Sequence, residues 1–230
     1  MTAERATSFY PQENAQTPLP SPDQDAETEL ARLAILHNEA TETAQYANLL
    51  GRAPYAVALL AIGSGVFGAL AAVSRPGAEV LAWLVLLLIG LAALARAYGR
   101  AIHAPFERAP LAAFTHDCSA ILTYAGCAWG AGAFLALPDG TDPLAALAFA
   151  IVVPGLMTAV LRSPRAALLF LGPAAGLSAL AMILRPLPED GLVAAATLIA
   201  AGGIGAAALW AERLSLHGRT IPQLAKQPFG

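Results

Sequence analysis

The stretch THDCSAILTYAGC, residues 115–127, brings a histidine, an aspartate and two cysteines within thirteen positions. Side chains of these types ligate metal ions, carry redox chemistry or titrate near neutral pH. On one helix, Cys118 and Cys127 would lie about half a turn apart in azimuth and roughly 13 Å apart along the axis. They could therefore neither form a disulfide nor share a metal ion. Whether the stretch is a site depends on the rest of the chain.

The composition of the chain indicates a membrane protein. Of its 230 residues, 57% are hydrophobic and only 13% are charged, whereas soluble domains carry roughly 25% charged residues. The net charge of −3 gives no electrostatic support for a nucleic-acid partner. No basic segment followed by a short apolar stretch begins the chain, so we predict no cleavable signal peptide.

Six apolar blocks follow a polar, acidic N-terminal segment, and each is long enough, at roughly 20 residues, to cross a bilayer as a helix. Short, turn-rich linkers make consecutive helices antiparallel neighbours, although residues 99–117 predict a longer connection that includes an interfacial helix. The sequence thus predicts an all-α, polytopic membrane bundle of six transmembrane helices. The blocks are residues 54–73, 80–98, 118–137, 144–161, 166–184 and 192–211.

The predicted organisation has four parts. Residues 1–25 form a disordered cytoplasmic tail rich in Pro, Gln and Asp, and residues 26–53 form a cytoplasmic juxtamembrane helix. Residues 54–212 form the transmembrane domain, and residues 213–230 form a short cytoplasmic tail. The juxtamembrane helix is either a surface helix or a dimerising helix. The second alternative follows from a stripe of mostly apolar residues at alternating spacings of three and four, which is typical of a coiled coil. The stripe is Leu30, Leu33, His37, Ala40, Ala44 and Ala47.

The distribution of Lys and Arg predicts the orientation. With the N-terminus in the cytoplasm, eleven of the thirteen basic residues fall in cytoplasmic segments, and only Arg75 and Arg185 fall on the other side. Because cytoplasmic loops of membrane proteins carry the excess of positive charge, we predict that both termini are cytoplasmic. The predicted location is the inner membrane of a bacterium.

Small residues and prolines in the spans predict where helices pack and where they bend. Small residues spaced four apart let helices approach closely, and a proline removes a backbone hydrogen bond. The prolines either shape the bundle or serve as a hinge that transmits a signal, with Pro154, Gly155 and Pro173 as the hinge candidates. The candidate packing residues are Gly126, Gly130, Gly172, Gly176 and Gly205.

The opening stretch is interpreted as the start of the third span. Thr115 or Asp117 would be its N-cap, because a short polar side chain satisfies free N–H groups there. The alternative is a metal or pH-sensing site at His116 and Asp117, which would need a further ligand. The candidates for that ligand are His37, His103 and Glu107.

The remaining chemistry-bearing residues predict no active site. No Asp, Glu, Lys or His lies near the middle of a span, which argues against a proton-coupled transporter. The four histidines lie outside the spans or at their edges, so a membrane-bound haem is not expected. The chain has no phosphate-binding glycine loop, GxSxG or HExxH motif. We therefore predict a protein that is not an enzyme and holds no cofactor or metal.

Four segments, in order along the chain, resemble the six-helix membrane input region at the N-terminus of many bacterial diguanylate cyclases and sensor histidine kinases. The resemblance covers residues 30–215, most of the chain, and implies a dimeric sensory module in the inner membrane. The resemblance includes no output domain, so no catalytic residue is assigned from it. The segments are YANLLGRAPYAVALL, ARAYGRAI, YAGCAWGAGAFLALP and RSPRAALLFLGPAAGLSAL.

In that family the sixth span continues into a cytoplasmic helix and an output domain. Here Gly218 and Pro222 predict that the helix ends soon after the sixth span. The chain would then be a detached input region or would act on a separate cytoplasmic partner. The alternatives are a small transporter, or a subunit of one, for a neutral or apolar solute, and a structural subunit of a membrane complex.

Overall fold

The computed structural model describes residues 22–74, 77–105, 107–137, 141–185 and 188–224. The chain divides after Thr41 into two compact units. The first contains the beginning of helix α1, and the second contains the rest of α1 and five further helices. The predicted disordered tail lies, up to residue 21, outside the described residues.

Within the described residues the secondary structure is helical throughout, without a strand. The predicted all-α class is therefore confirmed. Arg162, between α4 and α5, adopts a left-handed φ of 47°, and Pro164 then begins α5 with its fixed φ. The helices are α1 (Pro22–Ser74), α2 (Ala78–Ile102), α3 (Arg108–Leu135), α4 (Pro143–Leu161), α5 (Pro164–Ile183) and α6 (Pro188–Leu224).

All six helices contain a segment long and apolar enough to cross a membrane. The exposed surface of these segments is itself apolar, with Val73, Leu81 and Ile199 among its most exposed side chains. Lipid accommodates such a surface, because hydrocarbon tails are as apolar as these side chains. The predicted six-span membrane protein is confirmed at this level. The spans are Glu42–Ser74, Ala78–Ile102, Ala109–Leu135, Pro143–Leu161, Pro164–Ile183 and Glu189–Leu214.

Helix ends differ from the sequence prediction at three places. The predicted long connection over 99–117 is wrong, because α2 continues to Ile102 and α3 begins at Arg108. The helix α6 continues to Leu224, past Gly218 and Pro222, which were expected to end it. The helix α1 begins at Pro22, inside the predicted tail. An apolar block indicates only the part of a helix that crosses the hydrocarbon. Polar turns that continue the helix beyond this block are not recognised from hydropathy.

The core of the second unit consists of two groups of buried side chains. The larger group runs from Leu49 in α1 to Ala181 in α5 and includes the tryptophans of α2 and α3. The smaller group joins α4, α5 and α6 through Ala146, Met182 and Ala194.

Candidate functional site

The opening stretch lies inside α3, so the predicted N-cap role of Thr115 or Asp117 is wrong. The helix begins at Arg108 with Glu107 as its N-cap residue. The Thr115 hydroxyl donates to the Leu111 carbonyl oxygen at 2.9 Å, a bond within the helix that a cap residue could not make. Hydropathy placed the helix start too late because its first turns are amphipathic rather than uniformly apolar.

The candidate sensing pair is solvent-accessible. His116 is exposed, and the Asp117 carboxylate accepts a hydrogen bond from the Arg100 guanidinium at 3.3 Å. Both members of this ion pair are largely exposed, at 67% for Arg100 and 47% for Asp117. The pair connects the end of α2 to α3 and accounts for Asp117 without a ligand.

Replacing Asp117 with asparagine is expected to change the free energy of unfolding by less than about 1 kcal/mol, because water and salt screen an exposed ion pair. Denaturation of the purified protein in detergent, at low and high salt, measures this change. His116→Ala is the matched control on the same exposed turn. A loss of several kcal/mol in D117N alone would contradict the surface interpretation.

Metal-ligating side chains are not grouped within the described part of the chain. No three His, Cys, Asp or Glu residues there lie close enough together to hold a metal ion. Cys118 is buried and Cys127 is exposed, as expected for two residues on opposite faces of one helix. The side chains of His37 and His217 lie outside the described residues.

Three buried aromatic rings and one half-buried ring join the first four helices. Trp129 of α3 stacks on Phe149 of α4, with ring centroids 5.2 Å apart, and Trp83 of α2 meets both rings. Phe67 of α1 packs edge-on against Trp129 and Phe149, at 5.7 and 5.4 Å. Edge-on and offset geometries are the favourable ones for aromatic pairs. The rings therefore fix the relative positions of α1 to α4.

Both buried indoles donate hydrogen bonds to the backbone of a neighbouring helix. Trp83 Nε1 donates to the Ala128 carbonyl oxygen at 3.0 Å, and Trp129 Nε1 donates to the Phe149 carbonyl oxygen at 2.9 Å. An N–H group without an acceptor is costly within a membrane, so a different pairing of the helices would be unfavourable. These hydrogen bonds therefore both stabilise the helix contacts and determine which helices pair. The sequence alone gave no partner for either indole.

Among the candidate packing glycines, two lie at the contact between α3 and α5. A Cβ added at Gly126 would overlap the Phe170 carbonyl oxygen, and one added at Gly130 would lie 2.8 Å from the Ala174 carbonyl oxygen. No Cβ fits at either position without moving a helix backbone. Gly132, which was not a candidate, faces the rings of Trp83 and Phe149, where a Cβ would lie 2.5 Å from the Trp83 Nε1 atom.

The other three candidate glycines differ in their surroundings. A Cβ at Gly205 of α6 would lie 2.9 Å from a methyl group of Leu168 in α5, a contact that a side-chain movement could relieve. Gly172 and Gly176 are exposed, and a Cβ at either would meet nothing within 4 Å. Within this chain their prediction as packing residues is wrong, because that face of α5 points away from the bundle.

The candidate hinge residues lie within uninterrupted helices. Pro154 is buried in α4, and Pro173 is half-buried in α5, with its carbonyl oxygen 3.0 Å from a Cβ added at Gly130. A Cβ added at Gly155 would lie 3.3 Å from Ile204 of α6. Pro173 therefore lies at the contact with α3, and Pro154 precedes a residue at the contact with α6. Their hinge role stays a prediction.

Arg185 forms a contact that the sequence did not indicate. It follows α5, and its guanidinium Nη2 donates to the carbonyl oxygens of Ala133 and Leu137, at 2.8 and 3.0 Å. These carbonyls lie at the C-terminal end of α3, where a positive charge is favourable. The sequence assigned Arg185 to a loop, because a basic residue beside a proline in a short linker is a typical loop residue.

Known proteins give no further assignment. No known protein family, curated protein or solved structure matches this chain. The resemblance to bacterial sensory input regions therefore stays a prediction.

Proposed function

We propose that the chain is a non-enzymatic sensory or regulatory module of a bacterial inner membrane, with both termini in the cytoplasm. It relays a state of the membrane or the periplasm to a cytoplasmic signalling partner. The resemblance to the input regions of diguanylate cyclases and histidine kinases motivates this assignment.

The main observation in support of this proposal is that both terminal helices extend beyond their membrane spans. The helix α1 begins at Pro22, whereas its span begins at Glu42, and α6 ends at Leu224, whereas its span ends at Leu214. A helix that extends beyond its membrane span can transmit a shift or rotation of that span to an aqueous partner. This is the arrangement that a relay between membrane and cytoplasm requires.

The proposed orientation is supported by where the charged side chains lie. Arg96, Arg162 and Arg165 are exposed towards the ends of α2 and α4 and at the start of α5. Acidic side chains occur at the opposite helix ends, where Glu79 is in the first turn of α2 and Asp142 caps α4. Because positive charge is retained on the cytoplasmic side of membrane proteins, this distribution supports cytoplasmic termini.

An exposed apolar stripe on α1 supports self-association of two copies. Leu33 is 53% exposed in the first unit, although it lies outside the spans and lipid does not cover it. Ala40 is exposed on the same stripe. Two such helices pack through these positions in a short coiled coil, whose strength is limited because alanine buries little surface.

The test uses the full chain with a diguanylate cyclase domain fused after Gly230, since that domain is active as a dimer. We expect Leu33→Asp to lower cyclic-dinucleotide output at least roughly tenfold, the factor that about 1.4 kcal/mol of lost association energy produces. Ile35→Asp is the matched control, because Ile35 is 60% exposed but lies off the stripe. Immunoblots of the membrane fraction check that all forms insert equally.

Equal output from all three forms would contradict the relay. A transporter instead predicts that the purified chain moves a solute into liposomes, at a rate that Leu33→Asp leaves unchanged. A structural subunit predicts neither output nor flux, but loss of a larger complex when the chain is deleted.

A further inference from the structure

The middle of α4 has a weakened series of helical hydrogen bonds. Pro154 has no N–H group, so the carbonyl oxygen of Ala150, one turn earlier, loses its donor within the helix. Ala150 is fully buried, so bulk water does not replace this donor. The helix therefore contains a backbone acceptor that its own N–H groups do not satisfy in the regular way.

Two side chains donate to neighbouring carbonyl oxygens of the same helix. Trp129 Nε1 donates to the Phe149 carbonyl oxygen at 2.9 Å, and the Thr158 hydroxyl donates to the Gly155 carbonyl oxygen at 2.6 Å. In a regular α-helix each of these oxygens accepts only from the N–H group four residues later. Hydroxyls that bond back to the preceding turn often bend helices. The carbonyl groups at positions 149, 150 and 155 thus all depart from the regular pattern.

The same segment of α4 contacts both terminal helices. A Cβ added at Gly63 of α1 would lie 2.7 Å from a methyl group of Val153, the residue before Pro154. A Cβ added at Gly155, the residue after it, would lie 3.3 Å from a methyl group of Ile204 in α6. A change in the direction of α4 at this proline would therefore alter the position of α6 relative to α1.

Pro173 of α5 lies in a different setting, because glycines of α3 pack against the backbone of α5 before and after it. A Cβ added at Gly126 would overlap the Phe170 carbonyl oxygen, and one added at Gly130 would lie 2.8 Å from the Ala174 carbonyl oxygen. Close-packed interiors do not deform continuously, so α5 could bend there only by separating from α3. Pro173 is therefore not a comparable bend point.

We propose that α4 bends at Pro154 and that this bend couples the position of α6 to that of α1. Its use in signalling rests on the proposed function, because the relay is what gives the two terminal helices a state to transmit. The helix ends at Leu161, about 10 Å beyond the proline. A proline kink of about 25° displaces that end by about 4 Å, and the helices in contact with α4 move with it.

The test is the distance between two spin labels on the full-length protein in phosphatidylcholine vesicles, measured by pulsed electron paramagnetic resonance. The labels are attached at Tyr55→Cys in α1 and Leu214→Cys in α6, two exposed positions, after Cys118 and Cys127 are replaced with alanine. We expect Pro154→Ala to narrow the distance distribution by about 4 Å, because alanine restores the missing N–H donor and straightens α4.

Pro173→Ala is the matched control and should leave the distribution unchanged. Thr158→Val removes the hydroxyl that bonds to the helix backbone and should narrow the distribution by a smaller amount than Pro154→Ala. Size-exclusion chromatography and circular dichroism check that the variants fold.

The proposal is overturned if Pro154→Ala leaves the distribution unchanged, or if Pro173→Ala narrows it equally. A failure of the relay would appear elsewhere, as unchanged output of the cyclase fusion, because the distance between the labels requires no output domain.

Discussion

Gly126→Ala is expected to destabilise the folded bundle by about 3 kcal/mol, the upper end of the cost of overpacking a core. The added Cβ would overlap the Phe170 carbonyl oxygen, which belongs to the backbone of α5 and cannot rotate away. The helices α3 and α5 would have to separate, with loss of dispersion contacts along their whole interface. Unfolding by SDS in mixed micelles, followed by circular dichroism, measures the change.

Gly172→Ala is the matched control. It adds the same methyl group to an exposed helical glycine that has nothing within 4 Å. We expect no loss of stability, and up to about 1 kcal/mol of gain from the higher helix propensity of alanine. Equal losses in G126A and G172A would mean that helix propensity or micelle effects, and not the close approach of α3 to α5, determine the result.

Trp129→Ala should also cost about 3 kcal/mol, the lower end of the range for deleting a buried tryptophan. In lipid the hydrophobic transfer term is small, because the unfolded span remains among apolar tails. What remains is the cavity beside Phe149 and Phe67 and the lost bond to the Phe149 carbonyl oxygen. Trp129→Phe keeps most of the ring contact and should lose only about 1 kcal/mol.

Trp210→Ala is the control for this series, since Trp210 is 66% exposed on α6 and meets lipid rather than a neighbouring helix. We expect its loss of stability to stay below about 1 kcal/mol. The same SDS titration ranks the three variants. The order W129A, W129F, W210A, from most to least destabilised, supports the aromatic group as the centre of the bundle, and a different order contradicts that role.

The sequence by itself determined the all-helical class and the six spans. Blocks of roughly 20 apolar residues have one stable form in a bilayer, because a helix satisfies its backbone hydrogen bonds internally. The sequence also placed Cys118 and Cys127 on opposite faces of α3, because azimuth follows from helical spacing alone. It failed at the starts of α1 and α3 and at the ends of α2 and α6, where polar turns continue a helix beyond its apolar block.

Only the tertiary structure decided which polar and small residues matter. Gly126 and Gly172 occur in the same small-residue pattern, yet one meets the backbone of a neighbouring helix and the other faces outwards. The sequence assigned Arg185 to a loop, whereas the fold brings its guanidinium to the carbonyl oxygens at the end of α3. The spacing of residues along the sequence determines which of them share a face of a helix. Which neighbouring helix packs against that face depends on the arrangement of all six helices.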